Sequence, residues 1–346
     1  MTEIFGRRYS LIIGRLSKSL TATVPRYLAT PEIIKNSIGN PTASGDIVAF
    51  DYRTEPDSFI KITDLSIKSD IVYTKATTNK GGTQNNSIDL HNLSKDTKAR
   101  IREDDLVFLK AGYDQDIVDG DEESLPLVFV GQVNRVESGR EGTGTNITRL
   151  VCGDNVIPKK TIKVSESWTP STNLSTVVTD LLDIAAKNGI PTGKVFGMAD
   201  QGTPLSERIY TYGYSVSGNL FDELQKICNS IDYIFYTSLG KIFIEPRGDR
   251  GSGEIYDFLI LDTQSLKKPI EYLSDGSNPQ GNESRSGIKI TTYLNGRVTP
   301  EKFITIEDVD KEFAGTYSIK SIKHILDFEG EVWDTVIDCA RVLGNG

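Results

Sequence analysis

The sequence predicts a mainly β protein with an α+β insertion: two small antiparallel β-barrels with a compact α+β unit between them. Short apolar stretches separated by Gly, Asn and Asp clusters recur from Gly45 to Asp154. Between Leu174 and Ile231 the apolar period becomes helical. From Tyr317 to Val342 the pattern is β again. A chain of 346 residues exceeds one typical domain. The division expected is an N-terminal arm (1–45), a first β-barrel (46–155), an α+β domain (156–250) and a second β-barrel (251–346).

The arm is expected because Pro25, Pro31 and Pro41 break up any long element. Arg7-Arg8 ahead of a short apolar run mimics an export signal. The run is interrupted by Arg15 and lacks a small-residue cleavage site, so an edge strand with basic flanks is expected. The first barrel is clearest from Asn86 to Asp154. Alternating Ile88 and Leu90 stop at His91-Asn92-Leu93-Ser94, and a short polar helical turn follows. An apolar strand, Leu106 to Leu109, leads to Ala111-Gly112-Tyr113. A second, Leu127 to Val130, is expected to end at Gly131, and a third closes at Leu150 to Cys152. The polar loops Thr74 to Asn86 and Asp114 to Glu123 are expected to order on contact with neighbouring subunits.

In the middle, Leu174, Val177, Val178, Leu181, Leu182 and Ala185 form one apolar helical stripe. Ser171, Thr172 and Asn173 are N-cap candidates, and Asn188-Gly189 is expected to supply a left-handed stop. Leu220, Leu224, Ile227, Cys228 and Ile231 mark a second helix. It runs into a strand at Tyr233 to Tyr236, a tight turn at Ser238-Leu239-Gly240, and a strand from Lys241 to Ile244. Asp275 to Gly287 reads as a linker. At the end, Tyr317 and Ile319 alternate, then Ile322, His324, Leu326 and Phe328 continue on a shifted phase. A bulge near Lys320-Ser321 accounts for the shift, and Val332 to Val342 returns as the partner strand.

Composition excludes several function classes. The net charge is −9, with Lys and Arg scattered, which argues against a nucleic-acid footprint. No run approaches the roughly 18 apolar residues that a membrane span needs. Cys152, Cys228 and Cys339 are far apart without a Cys-x-x-Cys pair, so reduced structural thiols are expected. Only two histidines occur. His91 stands at a strand-to-turn junction; His324 shares a strand face with Ile322, Leu326 and Phe328 and is expected to be buried and hydrogen-bonded. No nucleophile elbow or His-Glu-x-x-His pair occurs.

The acidic loop from Asp114 fails the calcium-loop spacing, because Val118 and Asp119 stand where a ligand and a glycine are needed. Gly142-Thr143-Gly144 lacks the strand and helix of a nucleotide cradle, and Arg247-Gly248-Asp249 reads as a turn. The Asn-x-Ser/Thr sites at Asn92 and Asn146 read as turn residues. No catalytic, cofactor-binding or metal-ligating residue is therefore assigned, and no cofactor is expected.

The order of segments resembles the baseplate hub, or tail hub, proteins of contractile-tailed bacteriophages. Ile62-Thr63-Asp64-Leu65 with Ile67 and Ile71 is similar to the family's opening strand and turn. Asn86 to Ser94, Lys110-Ala111-Gly112-Tyr113 and Leu125 to Val133 resemble its next three segments in order. Tyr212 to Asn219 and Lys241 to Pro246 match the middle. Gly315 to Ile319, His324 and Gly330 to Thr335 match the closing hairpin. The resemblance implies tube-like barrels, a homotrimer and no enzymatic activity. Its barrels would imitate the sixfold tail tube while its true symmetry fits a threefold central spike. It further implies partners in a tail tube or tube-initiator protein, the spike and other baseplate proteins, with DNA passing through the lumen and no stable membrane insertion. The location implied is the virion tail baseplate, assembled in the host bacterial cytoplasm. A cell-wall-degrading tail enzyme and a tail tube subunit are the alternatives.

Overall fold

The computed structural model describes residues 6–14, 59–75, 86–118, 120, 124–141, 144–154, 161–188, 190, 192–198, 202–247, 258–262, 264–274, 285–307 and 311–342. Most of the expected arm, the interior of the 74–86 loop and most of the 275–287 segment lie outside them. So do residue 119 and residues 121–123 of the acidic loop, Gly142-Thr143, Gly189 and Gly248-Asp249.

The N-terminal part departs from the expectation. Arg7–Gly14 is β1, an interior strand of the largest sheet and neither an arm nor an edge. Tyr9, Leu11 and Ile13 enter the main core, and Ser10 and Ile12 on the opposite face are buried as well. A strand buried on both faces belongs inside a sheet. Its neighbours are β2 (Phe59–Ile62) and, further along the chain, β5 (Leu106–Tyr113).

β3 (Ile67–Thr74) and β4 (Asn86–His91) pair with each other. Asn92, with φ of 56°, turns the chain into the short helix α1 (Lys95–Arg100). Ser94 caps that helix by accepting the Thr97 N–H at 3.1 Å. β5 (Leu106–Tyr113) runs on through Ala111-Gly112-Tyr113 into a 3-10 turn at Asp114–Asp116.

β6 covers Leu127–Glu141 and does not stop at Gly131, as the sequence led one to expect. Gly131 sits inside the strand because of a close approach. A Cβ there would meet the Gly153 carbonyl oxygen at 2.4 Å and the Phe129 ring at 2.6 Å. β7 (Thr145–Gly153) completes this half of the sheet.

The α+β unit holds β8 (Lys163–Trp168), β9 (Thr172–Asn173), α2 (Leu174–Lys187), β10 (Thr192–Val195), α3 (Pro204–Glu207), β11 (Ile209–Tyr210), β12 (Tyr214–Asn219), α4 (Leu220–Ser230), β13 (Tyr233–Ser238) and β14 (Lys241–Pro246). The stripe expected on α2 is its buried face. Asn188 ends α2 by donating its side-chain amide to the Ile184 carbonyl at 2.8 Å, with an ordinary negative φ. Asn219 caps α4 through the Phe221 N–H at 2.9 Å. Leu239 and Gly240 both have positive φ, 49° and 79°, as a two-residue turn of the primed type requires between paired Ser238 and Lys241. These elements enclose a core of their own.

The last region comprises β15 (Phe258–Leu261), β16 (Glu271–Ser274), β17 (Arg285–Tyr293), β18 (Phe303–Ile306), β19 (Gly315–Asp327) and β20 (Trp333–Arg341). The predicted bulge is present, since the β19–β20 register shifts between Ile319 and Ser321. The displaced Lys320 carbonyl accepts the Lys75 N–H at 3.0 Å.

The protein is mainly β, and its principal sheet has 13 strands. They run β16-β17-β20-β19-β3-β4-β7-β6-β5-β1-β2, with β18 joined to β19 and β15 joined to β18. Pairing is antiparallel in this sheet except for the parallel β15–β18 pair. The early and late regions meet where β3 and β19 pair antiparallel from Lys68–Asp327 to Thr74–Ser321. The core follows this continuity: Ile67, Ile71, Ile88 and Leu109 share one cluster with Ile290, Ile322, Leu326 and Ile337.

At the end of β3, Lys75 reaches the α+β unit. Its Nζ lies 2.8 Å from Glu245 Oε1, and both side chains are buried. The Tyr236 hydroxyl donates to the other carboxylate oxygen at 3.2 Å. His324 stands on the opposite flank of the same joint, paired across to Ile71 and Thr335. Its Nδ1 lies 2.9 Å from Thr335 Oγ1, which accepts the Asn295 N–H at 2.9 Å. Thr335 Oγ1 can take either role toward the ring nitrogen, and the contact holds the imidazole in place. Burial pushes the His324 pKa down to about 3.

Two outcomes follow for stability. Breaking the buried ion pair with Glu245→Gln should cost about 3–5 kcal/mol in urea unfolding, whereas Lys75→Met with Glu245→Leu should recover most of it. Equal losses in the single and double variants would contradict the role given to the pair. His324 has a folded pKa below its unfolded value near 6.5, so the unfolded chain binds the extra proton. Stability should fall as pH drops from about 6.5 toward 3, by up to about 1.4 kcal/mol per pH unit from this group. Urea midpoints measured across that range should lose part of their slope in His324→Gln, and an unchanged slope would count against it.

Candidate functional site

The two histidines and three cysteines are sequestered. His91 and His324 are buried, and so are Cys152, Cys228 and Cys339. Burial raises the Cys228 thiol pKa to about 12 and pushes the other two higher still. His91 ends β4 and packs at the turn, where its N–H donates to the Ser66 carbonyl at 3.0 Å. The structure does not bring the two histidines together with a nucleophile. Among the described residues no cluster of three or more His, Cys, Asp or Glu could hold a metal ion, and no helix is long and apolar enough to cross a membrane. Asp114 and Asp116 of the acidic loop serve the protein itself. Asp114 pairs with Arg8 at 2.5 Å and Asp116 accepts the Tyr113 N–H at 3.0 Å.

What the fold builds instead is a junction between the two β regions. The Arg7 guanidinium at the start of β1 donates to the carbonyls of Asp327 (2.7 Å) and Glu331 (3.3 Å) and of Gly330 in the β19–β20 turn. It also lies over the Trp333 ring at 5.7 Å. Tyr9 meets Phe328 edge-on at 5.2 Å. Trp333 Nε1 donates to the Gly112 carbonyl at 3.2 Å, and the Tyr113 hydroxyl donates to the Trp333 carbonyl at 3.2 Å while accepting the Leu294 N–H at 3.3 Å. Burial, ahead of all other causes, raises the Tyr113 phenol to about 12, so it remains a donor at physiological pH.

The sequence singled out Ala111-Gly112-Tyr113 and Gly330 to Thr335 as motifs but gave no hint that they touch. Only Arg7 and Trp333, a charge and a large ring at strand starts, could have signalled an anchoring role.

Beside the junction lies an open cleft of about 650 Å³, lined by Tyr113 and Asp116 from one region and by Leu261, Asp262, Tyr293 and Arg297 from the other. Arg297 stands 3.7 Å from Asp116 across it. Asp262 Oδ1 accepts from the Ser265 N–H at 2.9 Å and its hydroxyl at 2.7 Å, which holds its carboxyl below the usual range.

A second surface tops the α+β unit. Tyr210 and Tyr214 stack at 4.2 Å, Trp168 follows at 6.1 Å, and Arg208 covers the outer face of Tyr210 at 5.8 Å. This brace supports a turn whose Tyr212 is 95 % exposed.

No family model matches the chain, and no curated protein does. Solved structures with a similar course of the backbone include the tail protein from Neisseria meningitidis MC58, at 9 % identity over 82 % of this chain and 93 % of that one, with a TM-score of 0.49. The 43 kDa tail protein of prophage MuSo2 from Shewanella oneidensis is similar at 11 % identity, covering 82 % and 94 %, also with a TM-score of 0.49. The E. coli c3393 protein, described as a component of the type VI secretion system, is similar at 9 % identity over 81 % and 74 %, with a TM-score of 0.46.

Proposed function

We propose that this chain is a structural hub subunit of a phage tail baseplate, working as a trimeric adaptor between a sixfold tail tube and a threefold central spike. The observation that carries the reading is the edge-to-edge union of two β regions through β3 and β19. A chain with two side-by-side β regions supplies two wall units per subunit, so three copies supply six positions under threefold symmetry. The ordered segments from Ile62 to Thr335 that resemble hub proteins support the same reading. In this scheme the wall regions are 46–155, with β1 added to it, and 251–346, and the α+β domain of 156–250 projects from their joint. The partners are a tail tube or tube-initiator protein, the spike and other baseplate proteins, and the location is the virion tail.

The role is mechanical and not catalytic. Both histidines and all three cysteines are packed inside the fold, where they serve the core. A net charge of −9 suits a wall along which DNA slides without sticking, since like charges repel at short range.

Native mass measurement tests the assembly. Three chain masses are expected; a hexamer or open polymer would favour a tube subunit. Purified protein incubated with peptidoglycan should release no soluble fragments, and release by a monomer would replace the hub reading with that of a lytic enzyme. In a structure of the assembled ring, acidic side chains should outnumber basic ones on the channel face, and a strongly basic lumen would overturn the sliding argument.

A further inference from the structure

The late β region keeps one open flank among the described residues. Among the described residues β15 pairs only with β18, and its other edge has no strand beside it. That strand reads Phe-Leu-Ile-Leu, with no charge and no proline, and Ile260 at its middle is 61 % exposed. Natural edge strands are normally protected by a lysine, a proline or a bulge, because unpaired N–H and C=O groups invite another strand. An apolar edge that carries no lysine, proline or bulge of its own fits one built to be paired.

The chain beyond β15 turns away through the Asp262–Ser265 turn and lies along β17, with Leu266 bridged to Thr292 and the Lys267 N–H donating to the Thr291 carbonyl at 2.8 Å. The cleft of about 650 Å³ opens beside this divergence, with Leu261 and Asp262 at the end of β15 forming part of its wall.

We propose that β15 and this cleft form a docking groove that receives an extended strand from another protein of the assembly, a strand that alternates apolar and basic side chains. Main-chain hydrogen bonds to the open edge of β15 would hold the strand, and its side chains would alternate between Ile260 and the cleft. The charge follows from the groove itself. Asp262 and Glu307 stand at the end of the β15–β18 pair, where the Glu307 N–H donates to the Leu261 carbonyl at 3.0 Å. Asp116 lines the same cleft as Asp262, and Arg297, 3.7 Å from Asp116, is the one cation among the cleft-lining residues. The excess is negative and selects a basic strand. A second copy of this chain, at −9, is the poorer electrostatic match. The inference rests on the structural-subunit reading only in taking the strand to come from a neighbouring protein.

The probe is a fluorescently labelled Val-Arg-Val-Arg-Val peptide, titrated against the full chain by anisotropy, with Val-Glu-Val-Glu-Val as its counterpart. Saturable binding of the basic peptide that weakens with added salt is expected, with no binding of the acidic one. Ile260→Lys should abolish binding, and Asp262→Asn should weaken it about tenfold, about 1.4 kcal/mol. Both positions lie at the surface of the groove, and unchanged urea midpoints would establish that the variants are folded. Equal binding of the two peptides, no binding of either, or indifference to Ile260→Lys would overturn the groove. Concentration-dependent self-association lost in Ile260→Lys would assign the edge to a second copy and overturn the basic-partner assignment. A trimer that fails to bind the peptide would sink this inference and leave the hub reading intact; peptide binding by a chain that stays monomeric would do the reverse.

Discussion

The pairing of β3 with β19 is the constraint on which the rest of the structure depends. It sets Lys68 opposite Asp327 and Ile71 opposite His324, joining segments more than two hundred residues apart. Ordering so distant a pair costs loop-closure entropy that local contacts cannot recover, so the joint must be reinforced by burial on both flanks. Ile67 and Ile71 on one strand, and Ile322 and Leu326 on the other, provide that burial in a shared core. With this pairing in place the early and late β regions belong to one hydrogen-bonded sheet.

Several local features make sense only as consequences of that joint. The bulge at Lys320 frees a carbonyl that Lys75 occupies, and the same residue then carries its ammonium to the buried Glu245 of the α+β unit. An ammonium and a carboxylate are expensive to remove from water unless each meets its partner, so this contact fixes where the α+β unit can sit. At the far end, Arg7 gathers the carbonyls of the β19–β20 turn while Trp333 and Tyr113 exchange hydrogen bonds with the opposite region. The carbonyls of a tight turn have few partners of their own, and a five-donor guanidinium is well suited to collect them.

Several titratable groups of the described residues are committed to the fold. The imidazole of His324 is committed to Thr335, the thiols are buried in apolar surroundings, and the acidic loop residues that can be placed cap their own backbone. Among the described residues the exposed features include the β15 edge, the cleft and the aromatic tip at Tyr212. The rings of Tyr210, Tyr214 and Trp168 stack beside the turn that exposes Tyr212.

The sequence alone determined the elements whose signals are local. The apolar stripe of α2, the Leu239-Gly240 turn and the phase slip at Lys320-Ser321 each follow from the geometry of a few adjacent residues, and each could be read without a fold. The buried state of His324 was legible too, from the apolar residues sharing its strand face. Tertiary structure decided the rest. Arg7–Gly14 resembled an arm or an edge because its partners, Phe59–Ile62 and Leu106–Tyr113, are distant in sequence and leave no periodic mark on it. Gly131 resembled a strand end because the reason for a glycine there is the Gly153 backbone and the Phe129 ring, and one of these comes from another strand. The junction at Arg7, Tyr113 and Trp333 was invisible for the same reason. Spacing along a chain records how a segment twists, but which edges meet is settled only when the whole sheet buries its apolar faces together.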